Sequence, residues 1–328
     1  MILVTGASGF VGAAVVRKLL AVGEDVRVLL RPGSSRKTLT GLDVDIGIGD
    51  LMAPETLKTP LRGCKGLFHV AADYRLWTRH PEKMFKANVD GTVHIVKSAM
   101  EANVERIVYT SSVATLGIVP GGVADENTPV SFADMIGPYK QSKFLAEQKI
   151  LELIHDEKAP VVIVNPSTPI GPFDVKPTPT GRIVVETASK SMPAFVDTGL
   201  NVVHVDDVAA GQWLAYRHGK IGERYILGGD DLELRDLLKM IADAAGVKAP
   251  NVCLPRGLLY PLAFSVETWA RFMKKDDPFI TLDGLRMSRK KMFFSSTKAM
   301  RELGYQPGPA SQAITDAVDW FAKEGYLR

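Results

Sequence analysis

The chain has 328 residues, of which 46% are hydrophobic and 23% charged, so it is long enough for one large domain or two joined ones. With 40 basic residues against 37 acidic, the net charge of +3 gives no broad positive field, which excludes nucleic acid as a partner. A short apolar run at residues 2–4 reads as a strand and leads into Gly6-Ala7-Ser8-Gly9-Phe10-Val11-Gly12. A helical pattern follows over 11–20, then strands over 26–30, 44–48 and 67–71. Residues 84–102 read as one helix, 106–110 as a fifth strand, 139–154 as a helix and 161–164 as a sixth strand. Beyond Pro166 the texture changes to a Pro- and Gly-rich connection, then shorter elements at 202–205 and 224–227 with two or three helices.

Strands that alternate with helices predict a parallel sheet covered on both faces. Right-handed crossovers place all the strand C-termini on one edge, where ligands bind in open α/β sheets. Distinctive residues fall at those ends. The glycine loop follows the first strand, Arg31 the second, Asp50-Leu51 the third, and Ala71-Ala72 the fourth. Ser111-Ser112 closes the fifth and Pro166 the sixth. The expected architecture is α/β: a Rossmann doubly wound parallel sheet over 1–165, then a smaller C-terminal α/β substrate lobe over 166–328. Some elements of the second part are expected to return to the first.

The segment 258–273 is apolar but interrupted by Pro261, Glu267 and Arg271, and is too short and polar for a membrane span of ~20 residues. It reads as a buried or substrate-covering helix. A weak membrane-surface contact, helped by Arg271, Lys274 and Lys275, is the alternative. No transmembrane segment is expected, and the strand at Ile2 leaves no room for a signal peptide. Cys64 and Cys253 have no metal-ligand spacing and read as reduced thiols of a cytoplasmic protein.

Strand, glycine turn and helix together aim backbone N–H groups and a helix N-terminus at a pyrophosphate. Gly6 allows the tight turn, Gly9 the close approach of phosphates, and Gly12 the packing of helix on strand. Ser8, Phe10 and Val11 complete the loop. After the second strand an acid would select NAD and a base NADP. This chain has Arg31, then Ser34 and Arg36, and no acid. NADP(H) is the preferred cofactor, with NAD(H) the alternative.

Tyr139 and Lys143 are four apart on a helix and share a face. A phenol has a pKa of about 10. A neighbouring ammonium and the nicotinamide's positive charge favour the phenolate and bring it toward working pH. Ser112 supplies a donor to polarise a carbonyl oxygen, while the hydride comes from the cofactor.

These residues resemble the extended short-chain dehydrogenase/reductase superfamily. The stretches 5–12, Asp50-Leu51, Ala71-Ala72, 88–92, 110–112, 139–143 and 166–172 carry the likeness, with 298–305 and Trp320-Phe321 late in the chain. The resemblance implies Ser112, Tyr139 and Lys143 as the catalytic group, Asn88 as a supporting residue, and Pro166, Ser167 and Thr168 near the nicotinamide amide. It also implies pairing into a homodimer through a four-helix contact. More narrowly, 69–77, 165–169, 176–181 and 289–294 are similar to the hopanoid-associated sugar epimerase family, whose members resemble dihydroflavonol 4-reductases. There is one departure. The plant reductases generally carry an Asn or related polar group five residues after the catalytic Ser, where Gly117 stands here, so a flavonoid substrate is not expected.

Other candidates carry less. His69, inside an apolar strand, reads as a core histidine. His204 and Asp206 share a strand face, but no further ligand is spaced to join them, so no metal is expected and Asp207 reads as a helix cap. Arg286, Arg289, Lys290 and Lys291 read as a solvated face, with a substrate diphosphate as the alternative. Asp73, Tyr74 and Trp77 after the fourth strand, and Thr115 after Ser112, are candidates to line the substrate side. Two reactions fit the site: NADPH-linked reduction of a carbonyl on a bulky or sugar-like substrate, and NAD(P)-dependent epimerisation or dehydration of a sugar. A non-catalytic dinucleotide sensor is disfavoured by the Tyr–Lys pair.

Overall fold

The computed structural model describes residues 1–273, 278 and 280–327. Ten strands are present among the described residues: β1 Ile2–Thr5, β2 Val26–Leu30, β3 Asp45–Ile48, β4 Gly66–His69, β5 Arg106–Thr110, β6 Val161–Pro166, β7 Thr168–Ile170, β8 Gly199–His204, β9 Arg224–Leu227 and β10 Asp230–Glu233. Seven form one parallel sheet in the order β3-β2-β1-β4-β5-β6-β9. The order reverses between β1 and β4, which opens a crevice at the C-terminal edge there.

The helices in chain order are α1 Phe10–Ala21, α2 Lys58–Leu61, α3 Pro81–Phe85, α4 Gly91–Glu101, α5 Gly137–Glu157, α6 Pro179–Ala188, α7 Val205–His218, α8 Leu234–Ala244, α9 Arg256–Phe272, α10 Leu282–Met287, α11 Thr297–Leu303 and α12 Ala310–Lys323. Adjacent residues of each central strand serve opposite faces. Val4, Phe68, Val108 and Val164 join a core with α1 and α7, whereas Leu3, Leu67, Ile107 and Ile163 join another with α4 and α5. Strands buried on both faces have to be apolar throughout. Each such side chain contributes roughly 1.5–3 kcal/mol on burial.

A smaller sheet, β10-β8-β7, pairs β8 antiparallel to β10 and parallel to β7. Its core of Ile170, Val184, Leu237, Leu238, Ile314 and Phe321 draws on α6, α8 and α12. Between the two sheets the chain crosses back, because α7 and β9 belong to the large one. Arg224 of β9 reaches Glu147 of α5 at 3.2 Å.

The helix expected over 84–102 is divided. Between α3 and α4 residues Lys86–Asp90 wind as a π-turn, a feature that concentrates at functional sites. The segment 258–273 forms α9, and the expectation of a buried helix holds for one side only. Ala263, Glu267 and Ala270 are buried, while Leu258, Trp269 and Phe272 are 71%, 59% and 79% exposed. Of the cations expected beyond it, Lys274 and Lys275 lie outside the described residues. No described helix is long and apolar enough to cross a membrane.

Candidate active site

The glycine loop is built by steric necessity. Gly6 has φ +73°, and a Cβ there would lie 2.7 Å from the Ala71 nitrogen. A Cβ on Gly12 would meet the Gly6 carbonyl oxygen at 2.2 Å, so α1 closes directly onto the turn. Gly9 caps α1 in extended conformation with no side chain across the helix end, and the first turn carries no acid. The first N–H groups of α1 are therefore presented to an anion. Ser8 is exposed at the tip, Phe10 is buried and Val11 half-buried.

The neighbouring strand ends complete a cradle. After β2, Ser34 N donates to Arg31 O at 3.1 Å in a turn around Gly33. Arg31 and Arg36 are exposed and neither forms an ion pair among the described residues, whereas Lys37 beside them meets Glu324 at 3.8 Å. Asp50 accepts from Met52 N at 2.9 Å through one carboxylate oxygen. Leu51 packs at Gly91, and Ala71 N donates to Thr5 Oγ1 at 3.1 Å beside half-buried Ala72. At the end of β6, after Pro166, the Ser167 hydroxyl is buried without a partner among the described residues, and Thr168 opens β7. Obligate glycines, open helix amides and an unmet buried hydroxyl fit a dinucleotide.

Tyr139 lies in the first turn of α5, entered through Gly137 at φ +82° and Pro138. Its phenol faces the Ser112 side chain. Burial raises the phenol above its ordinary value, and Ser112 opposes this. Ser112 Oγ accepts from Ala114 N at 3.1 Å, which leaves its own proton to donate. Lys143 is buried one turn further on. Its Nζ donates to Thr110 O at 2.9 Å and to Tyr109 Oη at 3.1 Å. Burial pulls this ammonium down to about 8, with Glu147 opposing. The sequence reading expects Lys143, together with the charge of a bound nicotinamide, to lower the Tyr139 phenol. The ammonium itself faces Tyr109 and the Thr110 carbonyl.

The π-turn brings Asn88 into this group. Its Oδ1 accepts from Asp73 N at 2.7 Å, and its Nδ2 donates to Asp73 O and to Ser142 Oγ, both at 2.9 Å. Behind it runs a buried relay whose protons can be assigned. Thr92 Oγ1 donates to Asn88 O at 2.6 Å, so it has to accept from His69 Nε2 at 2.9 Å. His69 Nδ1 then accepts from Thr5 Oγ1 at 2.8 Å. His69 is a neutral core histidine, and burial next to Lys143 holds it down at about 3.

The family model for the NAD dependent epimerase/dehydratase family matches residues 2–228. The chain belongs to the NAD dependent epimerase/dehydratase family. A protein of Synechocystis sp., provisionally named dihydroflavonol 4-reductase, is 44% identical over 99% of this chain and 95% of its own length. Sterol demethylase protein B of Methylococcus capsulatus is 33% identical over 99% of both chains. The crystal structure of gox2253 superposes with a TM-score of 0.91 at 53% identity, covering 100% of this chain and 99% of that one.

Within this epimerase/dehydratase chain the remaining candidates fall unevenly. Asp73 is clasped by Asn88 and pairs with Arg75, whose Nε lies 2.9 Å from Oδ1. Tyr74 is exposed and Trp77 half-buried on the same segment. Thr115 departs from its expected role at the substrate. It is buried, and its hydroxyl is taken up by Ser112 O at 2.8 Å and Glu147 Oε2 at 2.9 Å. Asp207 is not the helix cap; His204 caps α7, accepting from Asp206 N at 3.0 Å, and Asp207 receives Gly308 N. No metal-holding cluster of three or more His, Cys, Asp or Glu exists among the described residues. Arg286 pairs with Asp283 and Lys291 with Glu233, while Arg289 is exposed.

Sequence reasoning missed Tyr109, Glu147 and Asn165. Asn165 Nδ2 donates to Glu147 Oε2 at 3.0 Å and to Ser112 O at 3.0 Å, anchoring the backbone of Ser112. Glu147 stands four residues after Lys143 on the same helix face, the one available signal.

Gly117 has no room for a side chain, since a Cβ would lie 2.3 Å from the Pro129 oxygen. Gly117→Asn is expected to destabilise the protein by about 1–3 kcal/mol through overpacking. Thermal unfolding checks this, and an unchanged midpoint would show that the 128–129 loop yields.

Proposed function

We propose that this chain reduces a carbonyl group on a bulky substrate with NADPH. The observation that supports it is the meeting of the Tyr139 phenol and the Ser112 side chain at the sheet edge that the glycine loop serves. Arg31, with Ser34 and Arg36, would hold the 2′-phosphate, and the α1 amides the pyrophosphate. Asp50, Leu51, Ala71, Ala72 and Ser111 would flank the rest of the dinucleotide, with 166–168 at its amide end. When bound, the nicotinamide supplies the hydride.

The chain's own part is proton transfer and orientation. Ser112 donates to the carbonyl oxygen, and Tyr139 Oη delivers the proton to that oxygen. Lys143 sets the electrostatics at the base of the site and Asn88 holds the Asp73 segment beside it. Tyr74 and Trp77 would touch substrate. The names of the 44% and 33% identical relatives favour a large carbocyclic or sterol-like skeleton, consistent with a hopanoid-related substrate. Pairing of two copies belongs to the same reading.

The family match supports a second reading, in which a sugar carbon is oxidised and re-reduced with the cofactor retained. Following NADPH absorbance during turnover separates the two. Stoichiometric loss supports reduction; turnover without loss, on protein that purifies with NAD, rejects it. Arg31→Ala is expected to weaken NADPH about 10–100-fold, the loss of one charge-assisted contact, and NADH by less than about 2-fold. Equal effects on both cofactors would remove Arg31 from selection.

A further inference from the structure

A narrow cleft of about 80 Å³ opens where the segments after Ser112 and before Tyr139 meet α10. Ala114 and Leu116 line it just beyond Ser112 in the chain, Ile136 lines it just before Tyr139, and Met287 comes from α10. Most of the lining residues are apolar, although the surface they expose to the cleft is mainly polar. Lys140 and Lys290 are its cations.

Lys140 follows Tyr139 on α5, so its side chain leaves the helix about 100° round from the phenol. It is nine-tenths buried, with 9% exposure. Its Nζ has the thioether of Met292 as its hydrogen-bond partner, at 3.7 Å, and thioether sulfur is a weak acceptor. No carboxylate pairs with it among the described residues. Lys290 is exposed at the rim and repels it. Asp134 also lines the cleft, but Oδ2 is taken by Ser131 N at 2.9 Å and Ser131 Oγ at 2.8 Å. Its electrostatic partner is Lys290. Burial and Lys290 bring the Lys140 ammonium down to about 8.

A buried ammonium without a counter-charge is costly, and folding tolerates it where something else gains. The reductase reading, on which this rests, puts substrate in this cleft. We propose that Lys140, assisted by Lys290, binds a carboxylate carried by the substrate and so fixes which end of the molecule meets Tyr139. One buried positive charge matches a monoanion; a phosphate dianion would call for a second buried cation, and Lys290 is at the surface.

The test is calorimetric titration of the NADP⁺-saturated enzyme with 4-formylbenzoate and with its uncharged methyl ester. Lys140→Met is expected to weaken the carboxylate by at least about 10-fold and the ester by less than about 2-fold, while Lys140→Arg retains carboxylate binding within about 3-fold. Lys290→Met, at the surface, is expected to weaken the carboxylate about 2–5-fold, and it carries the test should Lys140→Met fail to fold. Equal weakening of both ligands, an unchanged carboxylate affinity, or no carboxylate binding to the wild type at about 10 mM would overturn the proposal. NADPH oxidation is read separately. A charge-dependent binding difference without oxidation by any form keeps the anion site and rejects the reductase reading. Oxidation without the binding difference does the reverse.

Discussion

Tyr139→Phe is expected to lower turnover by about 10²–10⁴-fold with dinucleotide affinity held within about 2-fold. The substitution removes one oxygen from a half-buried ring and nothing from the packing of α5. The oxygen removed is the one that faces Ser112. If proton delivery to the substrate oxygen passes through that phenol, reduction has to stall while cofactor still binds. Pre-steady-state NADPH oxidation with a separate cofactor titration measures both quantities. A fully active Phe variant would move proton transfer to another group and leave the Ser112 contact structural.

Lys143→Ala is expected to damage both quantities, lowering turnover by at least about 10²-fold and cofactor affinity by at least about 10-fold. The ammonium is buried and serves Tyr109 Oη and Thr110 O together. Its loss strands two buried groups, each costing about 1–3 kcal/mol. The pH dependence carries its own signature. The folded-state value of Lys143 is depressed to about 8 from 10.5, so between those values the unfolded chain holds more protons than the folded one. The contribution of Lys143 to stability therefore rises with pH across that window. Wild-type melting should gain on the Ala variant from pH 8 to pH 10; a constant gap would show that the group is not depressed.

Much of this arrangement was legible in residue order alone. Central strands buried on both faces leave continuous apolar runs, so 26–30 and 106–110 coincide with β2 and β5. The strand ends then align the glycine loop, Arg31, Asp50 and Ser112 without further information. What could not be read depends on contacts made at a distance. β7 is only Thr168–Ile170, too short for any periodicity, and β9 enters the large sheet because β6 offers it an edge. Lys143 shares a helix face with Tyr139, yet its ammonium turns to a strand residue 34 positions earlier in the chain. Spacing on one helix cannot reveal that choice. Thr115 illustrates the same limit: being close to Ser112 in the chain suggested substrate contact, whereas Glu147 claims its hydroxyl.

The π-turn at Lys86–Asp90 makes residue count itself part of the chemistry. An ordinary helix gives each residue about 100° and 1.5 Å. Removing Lys86, Ala87, Val89 or Asp90 would let the backbone relax into regular winding and swing the upstream portion by about that angle. The Asn88 amide would lose its grip on Asp73 and Ser142, although every amino acid with a role at the site was still encoded. Deleting the codon of any of these four should therefore silence the protein while leaving it folded, an outcome that substitutions at the same four positions would not foretell.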